Sequence, residues 1–215
     1  MIHAYQETYL NKAQSTLGEA FDYAFNDCGI SIKDLNSIIV NSEISSRFEQ
    51  GDPAIIAGKS GPEIIIDIFY QAKNEYIKKT PEIKYSRSAE YWIGWIIAYY
   101  QWYSDRKISE ILEAVSFEEL RNMYYTLHEA DISKTVEILD EKLKEHFKQT
   151  KLCTLRKICG YSQSQLSKKA GVSLRSIQMY EQRQKNINKA SVETLYSICK
   201  VLGCNIDDLL EKHPY

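Results

Sequence analysis

Between Ser162 and Lys189 the chain carries two sets of side chains suited to a polyanion with readable edges. Leu174, Arg175, Gln178 and Met179 fall three or four residues apart or side by side, so a helix would present them on one face. A guanidinium at Arg175 can form a two-pronged contact with guanine and the carboxamide of Gln178 one with adenine, while Leu174 can meet a thymine methyl. The second set neutralises rather than reads. Arg183, Lys185 and Lys189, with Asn186 among them, offer donors for phosphates just beyond that helix, and Ser162, Gln163 and Ser173 stand where helices would start. Helix starts expose unpaired backbone N–H groups and the positive end of the helix dipole, both favourable to an anion.

Other chemistry finds less support. Cys153 and Cys159 are six residues apart and Cys199 and Cys204 five, unlike the close pairs of zinc ribbons. Cys199 and Cys204 occupy apolar positions, where cysteine acts as a small hydrophobe. His3, His128, His146 and His213 are scattered, and His128-Glu129 lacks the second histidine of a metalloprotease helix. Gly58-Lys59-Ser60 has the ending of a phosphate-binding loop, but Pro53 stands in place of the motif's first glycine and no strand precedes it. No carboxylates pair with a base or nucleophile. No metal, no cofactor and no enzyme activity is expected.

The elements that would position the two sets follow from caps and spacing. Leu152, Leu155 and Arg156 share a helix face with Gly160 as its stop. Ser162 caps a helix through Leu166, and after Gly171 the hydroxyl of Ser173 caps another from Leu174 to about Gln182. A short helix ended by glycine and restarted by a capping serine makes the steep bend of a helix-turn-helix. Ile177 and Tyr180 turn inward and anchor the second helix, whose N-terminal part must reach base edges in the major groove. This stretch resembles the Cro/C1 repressor family of helix-turn-helix proteins, also called the XRE family. The matching residues are Leu152, Leu155, Arg156, Gly160, Ser162, Gln163, Leu166, Gly171, Val172, Ser173, Ile177, Glu181, Leu195, Ile198, Leu202, Gly203, Leu209 and Leu210. The resemblance implies a five-helix fold that binds double-stranded operator DNA as a homodimer. Arg183 stands where the family commonly has glycine, and Ser167 where it commonly has alanine.

With 9 Gly, 4 Pro, 44% hydrophobic and 26% charged residues, the chain reads as folded and all-α. The net charge of −2 conceals a division near Phe147. Residues 1–147 hold 15 Lys and Arg against 24 Asp and Glu, and residues 148–215 hold 12 against 5, giving −9 and +7. Two domains are expected, 1–147 and 148–215, joined at Lys148 to Lys151.

The acidic part should contain about six to seven helices. They comprise Tyr5 to Cys28 with Gly29 closing it; a helix capped by Ser31 that continues or restarts through Ile44 and Phe48; and one with Pro62 at its first position running to about Lys78. An aromatic-rich helix from Ala89 to Tyr103 is expected at the centre, followed by one boxed by Ser116 and Glu119 and a last one capped by Ser133. The longest apolar stretch, Tyr91 to Tyr103, is short of the roughly 20 residues a bilayer requires. With no signal-like start, a cytoplasmic protein with reduced cysteines is expected. Some 147 residues exceed what repression alone needs, so the acidic domain is expected to bind something. A basic toxin would make the protein the antitoxin of a toxin–antitoxin pair; Tyr91 to Tyr103 and Leu127 to Lys134 are similar to antitoxin-like regulators. The alternative is a small-molecule sensor, which needs a pocket among the aromatics. An enzyme with a DNA-binding module is the remaining reading.

Overall fold

The computed structural model describes residues 3–40, 42–82, 84–147 and 149–211, and every regular element among them is helical. Lys148, in the expected connection, and His213 lie outside the described residues. Residues cluster into two units, Met1–Leu143 and Lys144–Tyr215. The first contains α1 (Leu10–Asp22), α2 (Ile32–Val40), α3 (Glu43–Glu49), α4 (Pro53–Ile56), α5 (Gly61–Lys73), α6 (Ala89–Ser104), α7 (Ile108–Ala114), α8 (Phe117–Leu127) and most of α9 (Ile132–His146).

Its centre is the pairing of α1 with α6. Leu10, Ala13, Leu17, Ala20 and Phe21 form the buried stripe of α1, and Ile93, Ile96, Ile97 and Tyr100 are buried on α6. Glycine sets their separation. A Cβ added at Gly94 would sit 2.3 Å from the carbonyl oxygen of Leu17, so α6 rests directly on the backbone of α1. The aromatic helix is central, as its composition predicts, but Trp92, Trp95, Tyr99 and Tyr103 remain half-exposed on its outer flank.

Several helix ends differ from expectation for local reasons. The helix expected through Cys28 begins with a 3-10 turn at Glu7–Tyr9 and leaves α geometry at Asp22, becoming a π segment over Tyr23–Asp27. The wider π turn brings Asp22 and Asp27, five residues apart, to the same cation. Lys84 pairs with both, at 2.5 and 2.8 Å. Gly29 follows with a positive φ, as expected of a helix stop. Ser60, with Glu63, forms a capping box at α5, so Pro62 is the second helical residue rather than the first. That helix stops at Lys73 rather than Lys78 because Asn74 takes the left-handed conformation and donates to the carbonyl of Tyr70.

The Ser31 hydroxyl accepts from the backbone of Asp34, and Ser116 forms its box with Glu119. At α9 the cap is Asp131, whose carboxylate accepts from the backbone of Ser133 at 2.8 Å, and not Ser133 itself. The short helices α4 and α7 are additional to those expected. Asp52 caps α4 just where Gly51-Asp52-Pro53 reads as a break.

Candidate nucleic-acid interface

The second unit continues with α10 (Lys151–Ile158), α11 (Gln163–Ala170), α12 (Leu174–Glu181), α13 (Val192–Leu202) and α14 (Ile206–Leu209). Leu152, Leu166, Ile177, Tyr180, Ile187, Leu195, Ile198, Cys199, Leu202 and Leu209 form one core drawn from all five helices and the 3-10 turn Ile187–Lys189. The bend between α11 and α12 is built by cap chemistry. Ser162 and Gln165 form a reciprocal capping box at α11, and Gly171 ends it at φ +66° with its N–H on the carbonyl of Ser167. Ser173 then accepts from the backbone of Ser176 to start α12. Ser167, at the position where alanine is common in the family, donates to the carbonyl of Val172 at 2.6 Å and ties the bend to α11.

A buried ion pair fixes α12 against α10. The Arg156 Nε donates to one oxygen of Glu181 at 2.6 Å and its Nη2 to the other at 2.9 Å, while Nη1 donates to the carbonyl of Tyr161 at 2.7 Å. Gln163 adds a third donor to the Glu181 carboxylate, at 2.7 Å. Burial alone would raise the Glu181 carboxyl, but the hydrogen bonds from Arg156 and Gln163 outweigh it and hold the group below its ordinary range. The bidentate bond to Glu181 raises Arg156.

With Ile177 and Tyr180 buried and Glu181 clamped, α12 can turn only its other side outward. Leu174 and Arg175 are exposed there, and Gln178 and Met179 are half-exposed beside them. Neither the Arg175 guanidinium nor the Gln178 carboxamide has a side-chain partner among the described residues. Residues 154–209 match the helix-turn-helix family model. This segment is a helix-turn-helix domain of the Cro/C1 type. No curated protein and no solved structure matches the chain. The helix-turn-helix domain supports a DNA-binding regulator, and α12 is the second helix of its pair.

The expected phosphate ligands divide into two groups. Lys185 and Lys189 are exposed, with the Lys185 ammonium 5.3 Å from the centre of the Tyr180 ring. Asn186 uses its side-chain oxygen to cap the 3-10 turn, accepting from Asn188. At the start of α11 the side chains of Ser162 and Gln163 are engaged within the domain, and Ser173 is engaged likewise at α12. What these helix starts keep available is first-turn backbone N–H.

Arg183 differs most from its expected role. It sits at φ +57°, the left-handed conformation that glycine adopts readily, and its side chain is turned inward. Nη2 donates to the carbonyl of Phe147 at 2.8 Å, and Nη1 lies 3.7 Å from the Glu211 carboxylate. The guanidinium thus joins the two ends of the domain instead of facing solvent. The position keeps the backbone shape that glycine would give and adds a tie glycine could not make.

The Arg156–Glu181–Gln163 cluster is a positioning device that the sequence expectations above do not include. The available signal was a pair of opposite charges placed on otherwise apolar helix faces. Cys199 is buried, and burial pushes its thiol up to about 12, as suits a core residue. Among the described residues no group of three or more metal-binding side chains is assembled, and no helix is long and apolar enough to cross a membrane.

Proposed function

We propose that the protein is a sequence-specific repressor that binds operator DNA as a homodimer in the cytoplasm, and that it is the antitoxin of a toxin–antitoxin pair. In this reading Leu174, Arg175, Gln178 and Met179 read base edges. Lys185, Lys189 and Asn186 meet phosphates together with the backbone at Ser162, Gln163 and Ser173. Arg183 is a positioning residue. The DNA reading rests on the outward face of α12, where a guanidinium and a carboxamide without side-chain partners among the described residues flank an exposed leucine on a helix clamped from behind.

The acidic unit, −9 over residues 1–147, would hold a basic toxin, and autoregulation would follow because one chain carries both activities. Co-expression tests this directly. The small protein encoded beside this gene should arrest growth alone and be neutralised by the full chain, and the pair should co-purify. An Arg175→Ala chain should still neutralise, because the reading helix and the acidic unit are separate. A neighbour that is harmless, or that neither co-purifies nor is rescued, overturns the antitoxin reading and leaves the DNA-binding reading intact.

A further inference from the structure

Within the first unit a groove of about 340 Å³ opens between the outer flank of α6, the end of α8 and the start of α9. That volume lies at the lower end of the range of about 300–1,000 Å³ typical of small-molecule clefts. Its walls are aromatic. Trp92 and Trp95 form one side, and Tyr124 meets Trp92 edge-on with ring centres 5.9 Å apart. His128 stacks on Tyr124 at 4.5 Å and is held by Nδ1–H donating to the Tyr124 carbonyl at 2.7 Å.

The groove also carries a cation. The Arg87 guanidinium carbon lies over the Tyr91 ring, 4.7 Å from its centre, and the group has no carboxylate partner among the described residues although the surrounding unit is acidic. A guanidinium held over a ring in this way keeps N–H donors for a further acid. Thr135 lines the same groove and is itself nearly buried.

We propose that this groove binds a small planar organic anion, an aromatic ring carrying a carboxylate or phosphate. The ring would stack against Trp92, Trp95 and Tyr124, which explains why these large side chains are left half-exposed on a concave surface. The acid would pair with the Arg87 guanidinium through charge-assisted hydrogen bonds. The anionic requirement is what separates this ligand from any apolar molecule of the same size. The site stands apart from the toxin reading and does not depend on it.

Calorimetric titration of the full chain with 2-naphthoate and its uncharged isostere 2-naphthamide tests the proposal. The acid should bind saturably at one site per chain and more tightly than the amide. Arg87→Gln, at an exposed loop position, should weaken the acid by about tenfold or more and the amide by less than about twofold. Trp95→Leu should weaken both. Absence of saturable binding, equal affinities for the two probes, or an Arg87→Gln chain that binds the acid unchanged would each overturn it.

Discussion

Glu181 shows how one side chain sets the interface without belonging to it. Its carboxylate takes donors from α10 and α11 and sits at the end of α12, so the three helices meet on a single ionised group. Breaking a buried ion pair strands the partner charge, and Glu181→Gln should cost the second unit on the order of 3 kcal/mol in urea denaturation at neutral pH. The carboxyl is held below its ordinary value of 4.5, so its contribution is complete above that pH and lost as the pH falls through 4.5 toward the folded value. The variant's unfolding curve should therefore fall less between pH 5 and 3 than that of the native chain; parallel curves would show that the pair does not supply the linkage.

Residues of this kind are only half legible in sequence. Ser162, Ser173 and Ser116 are readable as caps because the rule is local, reaching two or three residues. Arg183 is not: its left-handed backbone and its partners at Phe147 and Glu211, 36 and 28 residues away, exist only once the domain is closed.

Among the elements, those with sustained periodicity were legible and those made by packing were not. The stripe on α1, the aromatic α6 and the α11–α12 bend follow from spacing and stop signals. A single turn such as α4 carries no periodicity, and the π segment meets its partners from a distant loop, where Lys84 bridges Asp22 and Asp27 and the backbone of Glu82 donates to Asp27. The crossing of α1 and α6 is likewise invisible in sequence, since Gly94 inside an apolar run reads as a weak point in a helix. In the fold it is the contact that lets the helices meet. Gly94→Ala is expected to improve helix propensity locally yet destabilise the first unit by at least about 1–3 kcal/mol, because its methyl would meet the Leu17 carbonyl rather than a flexible side chain. A midpoint of chemical denaturation equal to or above that of the native chain would contradict the close approach.

At the scale of the whole molecule the chain divides its charge by task, with +7 over residues 148–215 and −9 over residues 1–147. The basic part should bind DNA with a steep salt dependence. Removing one phosphate ligand by Lys185→Ala should weaken operator and unrelated DNA alike and reduce the slope of log K against log salt by about 1; an unchanged slope would remove Lys185 from the phosphate set. A binding role for the acidic part is not legible in the same way, because recognition of a protein or a small ligand has no local code comparable to a cap or a helix face. Even there the aromatic run from Tyr91 to Tyr103 marked the helix that forms one wall of the groove, although only tertiary packing shows which rings face inward.

Arg175 is the most direct test of α12 as the reading helix. Binding of the native and Arg175→Ala chains to the operator upstream of the gene and to random DNA should be compared at one salt concentration. With α12 as the reading helix, Arg175→Ala should lose about 1–3 kcal/mol on the operator, with relaxed preference at the contacted base pair and little change on random DNA. Equal losses on both would contradict it and make Arg175 a phosphate ligand.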